Sequence, residues 1–294
     1  MGLRTPAVAG TFYASTADGI VEQIEWSYRH PIGPGHLPEV NEAGPRQVEA
    51  LVAPHAGYMA SGPVAAHAYY ALARDGKIDT AVIVGPNHTG YGSSVSVWTS
   101  GAWRTPLGDA AIDADAARSL VGGVIKSDES AHLYEHSVEV QVPWLQHLYG
   151  SGVRIVPVAI LAQDSETSLA VGEALSRIDG NVVLIASTDL SHYEPVESAT
   201  RKDTGILSAV ESFDSAGMYE RLTAEHCSMC GYGPVAAIVH AARLRGATDA
   251  TLLKYATSGD TVGDYSRVVG YASAVFTRGP LASSGSGVGE PIRD

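Results

Sequence analysis

Four polar clusters in this chain carry residue types that could do chemistry. They are Pro54-His55-Ala56-Gly57-Tyr58, Gly85-Pro86-Asn87-His88, Ser187-Thr188-Asp189-Leu190-Ser191-His192 and Cys227-Ser228-Met229-Cys230-Gly231. Imidazole and thiolate are strong ligands for zinc, copper and iron, and imidazole is also the commonest acid/base group near neutral pH. Two imidazoles and one thiolate would leave coordination positions open for water, substrate or dioxygen, whereas a closed structural zinc site uses four protein ligands. Cys227-x-x-Cys230 is half of a structural zinc motif, and no second Cys or His pair stands at finger spacing.

Each cluster follows an expected strand or precedes an expected helix. Short β-branched apolar runs predict buried strands over 48–53, 80–85, 154–161 and 181–187, with later candidates at 250–255 and 270–277 and a weaker one at 94–98. Apolar residues at helical spacing predict helices over 18–28, 63–74, 113–120, 165–178, 201–213, 215–223 and 234–245. Ser61-Gly62-Pro63 and Pro234 read as helix starts, because proline suits a first turn. The stretch 136–148 alternates at Val138, Val140 and Val142 but also fits a helical face, and helix is the reading preferred. Strands alternating with helices predict a three-layer α/β domain. In such sheets ligands bind beyond the carboxyl ends of the strands, so His55, His88 and His192 should meet in one crevice.

The same residues have plainer readings. A strand-end histidine can be a hydrogen-bonded structural residue, and Cys230 a small buried hydrophobe. Cys227 could be that too, or a partner in reversible oxidation. Asp189 could cap a turn or orient a ligand histidine as its acceptor. Glu135-His136 could be a solvated loop pair. His67 sits inside a helical pattern and is assigned to structure, and no context supports chemistry at His30, His36, His132, His147, His226 or His240.

Composition narrows the classes. The 294 residues are 45% hydrophobic and 17% charged, a globular profile. Net charge is −13 and no Lys/Arg run occurs, so nucleic acid is not an expected partner. Two cysteines make no disulfide framework, and no apolar run approaches a membrane span. A cytoplasmic protein with no membrane association is expected. The unbroken strand run predicts one domain over residues 1–278, with a Ser/Gly-rich disordered tail over 279–294. The tail's GSGVG has neither a strand before it nor a helix after it, so it is no nucleotide loop. A serine hydrolase is equally unsupported, because no G-x-S-x-G elbow occurs.

PAVAGTFY, APHAGYMASGPVAAHAY, GPNH, EHSVEVQVPWL, STDLSHY, CGYGPVAA and YATSGD, in that order from about Arg4 to Thr277, resemble the Memo-like family. That family resembles the class III extradiol dioxygenases in fold, which implies a three-layer architecture with a central mixed sheet flanked by helices. Carried over residue by residue, the resemblance implies His55, His88 and Cys230 as metal ligands, with Cys230 where the dioxygenases have a carboxylate. It implies His192 as the acid/base histidine and Asp189 and His136 as further pocket residues. It points first to iron(II), with copper or zinc as alternatives, and to a small aromatic or chelating substrate with dioxygen as partner. A non-catalytic copper- or iron-binding or protein-interaction module using the same pocket is the competing expectation. This chain departs from the family pattern in having Thr89 after His88, and in having Cys227.

Overall fold

The computed structural model describes residues 2–280. Strands are β1 (Leu3–Arg4), β2 (Val48–Ala53), β3 (Thr80–Pro86), β4 (Val95–Val97), β5 (Ala102–Thr105), β6 (Gly108–Ala111), β7 (Lys126–Ser127), β8 (Arg154–Ile160), β9 (Val182–Ser187), β10 (His192–Glu194), β11 (Asp249–Thr257) and β12 (Val268–Thr277). Helices are α1 (Ala17–Arg29), α2 (Tyr58–Asp75), α3 (Ala114–Ser119), α4 (Val142–Tyr149), α5 (Ser165–Ser176), α6 (Val196–Glu211), α7 (Ser215–Ala224), α8 (Tyr232–Leu244) and α9 (Gly259–Val262).

The main sheet runs β10-β12-β2-β9-β3-β8-β4-β7, with β11 also paired to β12. Its centre is parallel: β2 pairs β9, β9 pairs β3 and β3 pairs β8. Its flanks are antiparallel, through β12 on β2 and β4 on β8. The sheet is therefore mixed and covered by helices, as the sequence and the resemblance led one to expect. β2, β3 and β9 are buried at every position, which is why they read as largely apolar runs rather than alternating ones; Glu49 in β2 is the charged exception and is paired with Arg245.

Several expectations need correcting at their ends. Helix α2 begins at Tyr58, so Pro63 lies inside it instead of opening it. Tyr58 is the anchor: its backbone N–H donates to Phe12 O at 2.8 Å and its buried phenol to Val140 O at 2.7 Å. Pro63 lacks only the N–H that would have reached the carbonyl of Met59, a residue open to water. Likewise α8 starts two residues before Pro234, and α6 starts at Val196 rather than 201, directly after Pro195. The ambiguous stretch is a 3-10 turn at Glu139–Gln141 followed by α4, with Pro143 harmless in the first turn. A small sheet β1-β5-β6 was not expected, because its strands are too short and polar to stand out. The anticipated tail lies outside the described residues from 281 onward. Among the described residues, no helix is long and apolar enough to cross a membrane.

Candidate metal centre

The carboxyl ends of β2, β9 and β3 are neighbours, with β9 in the middle. His55 stands two residues beyond β2, His88 two beyond β3, and Thr188-Asp189 follow β9. Strands two apart are separated by about 10 Å, a gap that inward-turned side chains can close. They do: the rings of His55 and His88 are 5.3 Å apart at their centroids. Cys230 comes from the loop that enters α8. That loop is tied to the β9 end by Cys230 N–H to Asp189 O at 3.3 Å and Gly231 N–H to Thr188 Oγ1 at 3.0 Å. Any Cβ at Gly231 would fall 2.7 Å from both Ser187 O and Thr188 Cβ, so only glycine lets the loop approach.

One ligand atom each from His55, His88 and Cys230 lies within 4.8 Å of the others, and Cys230 Sγ is 3.2 Å from His55 Nε2. The hydrogen bonds behind the rings decide which nitrogens face the gap. Ser187 Oγ donates to Ser137 O at 2.6 Å and accepts from Gln141 Nε2 at 2.7 Å. It therefore accepts from His55 Nδ1–H at 3.1 Å, which leaves the Nε2 lone pair toward Cys230. His88 Nδ1–H donates to Glu135 Oε1 at 2.9 Å, freeing its own Nε2. Both imidazoles thus hold the tautomer a metal needs. Burial, then the neighbouring His136 and His88 rings, depress the basicity of His55 and keep it neutral.

Burial and then the Asp189 carboxylate push the Cys230 thiol well up, so in the metal-free protein it keeps its proton. A bound divalent cation would displace that proton. The Asp189 backbone N–H, 3.3 Å from Sγ, is placed to support the thiolate. The donor set of two neutral imidazoles and one thiolate fits iron, copper or zinc and leaves sites open. A second group, His88 with Glu135 and His136, also lies within ligand distance. Glu135 does not fit that role. Its two oxygens already accept from His88 N–H, His88 Nδ1–H, His136 N–H and Ser137 N–H. Burial raises the Glu135 carboxyl, but the hydrogen bond from His88 and the other donors outweigh it and hold it down at about 2.

Glu135 is the residue that sequence reasoning missed. Treated as one half of a solvated pair, it is only 1% exposed and is the carboxylate partner of His88. No local pattern marks it, since the partners are 47 positions apart. Arg4 also went unremarked. Its buried guanidinium grips Glu139 at 2.7 Å, His132 O at 2.6 Å and Glu135 O at 2.6 Å, and so fixes the turn that carries Glu135.

The other anticipated residues fall as follows. His136 stacks on His88 at 4.7 Å and 17° and packs on Phe12 at 4.7 Å. Asp189 is buried, and its carboxylate accepts from the His55 backbone N–H at 2.8 Å, not from a ligand ring. Burial pushes that carboxyl up against the pull of this N–H. His192 donates Nδ1–H to Ser228 O at 3.0 Å and lies close enough to act electrostatically on both His55 and Asp189. Cys227 stands apart, its Sγ 3.4 Å from Ser191 Oγ and its thiol raised by burial. Two surface recesses, of about 550 Å³ beside His36 and Tyr70 and about 510 Å³ beside Tyr219 and Cys227, are lined by none of the three candidate ligands.

The family model for Memo-like protein matches residues 4–275. A MEMO1 family protein of Methanopyrus kandleri is 51% identical over 282 residues, covering 94% of this chain and 99% of its own. One from Methanothermobacter thermautotrophicus is 49% identical over 276 residues, covering 92% and 99%. Among solved structures, an uncharacterized protein of Escherichia coli K12 superposes with a TM-score of 0.52 at 14% identity, covering 78% of this chain and 99% of its own, a likeness of fold.

Proposed function

The chain belongs to the Memo-like family, and from that premise we propose that it is a metal-dependent redox enzyme of dioxygenase-like type, acting on a small substrate that brings its own oxygen donors. The observation that carries this reading is the convergence of His55, His88 and Cys230 within 4.8 Å, with both imidazole Nδ1 atoms already committed behind them. Iron(II) is the metal proposed, with copper and zinc as the ions to test beside it. When bound, such an ion supplies Lewis acidity and, for iron or copper, one-electron chemistry.

The chain's own residues would divide the remaining work. His55 Nε2, His88 Nε2 and Cys230 Sγ hold the ion from one side. His88 is the solvent-facing ligand, so the opening lies on its side of the cluster. His136, stacked on the His88 ring, narrows that opening and holds the ring plane. His192 is the base. Its Nδ1–H is fixed on Ser228 O, so Nε2 presents a lone pair to a substrate hydroxyl proton. Asp189 holds the His55 backbone through its carboxylate and the Cys230 sulfur through its N–H, and is assigned a positioning role.

The test is anaerobic purification with metal analysis, followed by oxygen uptake with catechols. His192→Ala should keep the metal and lose turnover by roughly 10²–10⁴-fold. Loss of the metal in that variant would make His192 a ligand instead. A second reading, a metal-binding interaction module without turnover, draws on the exposed rings of Tyr91 and Tyr134, 61% and 70% accessible, on the His88 side. It becomes the better one if metal-loaded protein consumes no oxygen with any diol.

A further inference from the structure

Among the described residues, three other than glycine adopt positive φ: Tyr193 at 59°, Phe213 at 54° and His226 at 50°. Two have ordinary explanations. Phe213 and His226 each lie two residues past a helix, after α6 and α7, where a left-handed residue closes the helix end. Phe213 is also packed on Phe276 at 5.4 Å. Tyr193 has neither excuse. It lies within strand β10, and its ring is 65% exposed.

The strand register explains what the conformation does. His192 pairs with Val269 and Glu194 with Val268, so two steps on β10 match one on β12, and Tyr193 is the extra residue of a bulge. Bulges of this kind re-aim a side chain and are frequent beside active sites. Here the ring is turned to the Arg267 guanidinium, whose carbon is 5.7 Å from the ring centroid. Arg267 makes no ion pair within 4 Å among the described residues. The nearby Asp264 carboxylate is turned to the Ser266 N–H and hydroxyl, at 2.9 and 2.6 Å. In a chain of net charge −13, this guanidinium holds no carboxylate in a direct ion pair and senses Asp264 only at longer range.

The pair adjoins the metal centre. The His192 and Tyr193 rings are 5.8 Å apart. Tyr271, two residues beyond Val269 on β12, is 2% exposed and interacts electrostatically with both Asp189 and Tyr193. Val269, which pairs with His192, and Tyr271 lie on one side of β12, and Arg267 immediately precedes the strand.

We propose that Tyr193 and Arg267 form a recognition subsite for a carboxylate carried on a planar, metal-chelating substrate, with Tyr193 against the planar body and Arg267 pairing the carboxylate. This rests on the chelating-substrate reading above and adds the substrate's charge. Arginine suits the task, because its planar fork both stacks on an aromatic face and pairs a carboxylate bidentately. The bulge supplies the geometry that a regular strand would deny.

The test is calorimetric titration of the protein loaded with cobalt(II), an oxygen-stable substitute, using catechol and 2,3- and 3,4-dihydroxybenzoate. At least one carboxylate-bearing diol should bind about tenfold or more tighter than catechol, since a charge-assisted pair is worth roughly that factor. In Arg267→Gln the affinity for that diol should fall to the catechol level, with metal content intact as the check on folding. Tyr193→Asn, a residue that tolerates the left-handed conformation, should not lower the melting temperature yet should weaken the same diol. A residue serving structure alone would do the reverse. Catechol binding without preference for either carboxylate, or a preference that survives Arg267→Gln, overturns the subsite and leaves the chelating-substrate reading standing. No diol binding to metal-loaded protein overturns both.

Discussion

His55 and His88 present the same ring nitrogen to the same gap, yet they are held by opposite means. His55 is 2% exposed and is fixed by neutral partners, Ser187 and behind it Gln141, which also accepts from Tyr69 OH at 2.7 Å. His88 is exposed and is fixed by a buried carboxylate, Glu135, on a turn that Arg4 grips. The difference follows from desolvation. Deep in the fold a neutral hydrogen bond suffices, because the packed core already denies the ring other positions. At the mouth water competes for the ring, and a charge-assisted bond is needed to hold one tautomer and one orientation. The deep half of the site is thus built by packing, and the outer half by electrostatics.

The largest effect expected tests whether both halves serve one metal. His55→Ala, His88→Ala and Cys230→Ala should each lower bound metal sharply after purification, by elemental analysis. If all three keep wild-type stoichiometry, the ligand set is wrong. Next comes the support of the outer half. Arg4→Ala leaves Glu139 charged and buried without its partner, which should cost about 3–5 kcal/mol in urea unfolding. A loss under about 1 kcal/mol would mean that Tyr13 OH and the Ala7 and Val8 N–H groups satisfy Glu139 without Arg4.

The contrast itself is sharpened by two milder substitutions. Glu135→Gln should weaken metal binding by roughly 10–100-fold, as expected for loss of a carboxylate behind a ligand histidine. Ser187→Ala should weaken it by roughly 2–10-fold, the worth of one neutral hydrogen bond. Competition with a coloured chelator measures both. The reverse order of the two effects would show that packing does not hold His55.

A further effect concerns pH. Burial, then the Arg4 charge, depress His132 to about 3, so it is neutral in the native protein, whereas unfolded it titrates near its ordinary value. Between roughly pH 6.5 and 3 the unfolded state therefore binds the extra proton, and stability falls as pH falls through that window. His132→Phe, which keeps an aromatic ring between Trp98 and Trp103, should flatten this slope by up to about 1.4 kcal/mol per pH unit near pH 5. Equal slopes in the two proteins would show His132 charged in the native state.

The parallel centre of the sheet was legible because a strand covered on both faces must be largely apolar, and β2, β3 and β9 are, with Glu49, Thr80 and Ser187 the buried polar exceptions. His55 and His88 could be picked out for a related reason: a polar cluster immediately after such a run stands at the edge where ligands bind, whereas Cys230, before α8, was marked as a ligand by the family resemblance. The start of α2 was misread because Pro63 is a local signal, whereas Tyr58 is anchored by contacts to Phe12 and Val140, the latter 82 positions away. The role of Glu135 behind His88, the grip of Arg4 and the bulge at Tyr193 could not be read from the sequence. The sequence alone determined which residues could bind a metal and that an α/β sheet would gather them, since apolar periodicity and residue chemistry are local. Only the tertiary structure decided which nitrogen each imidazole presents, which carboxylate stands behind His88 and which cation faces Tyr193. Those outcomes depend on hydrogen bonds, register and desolvation between segments far apart in the chain, and no local pattern encodes them.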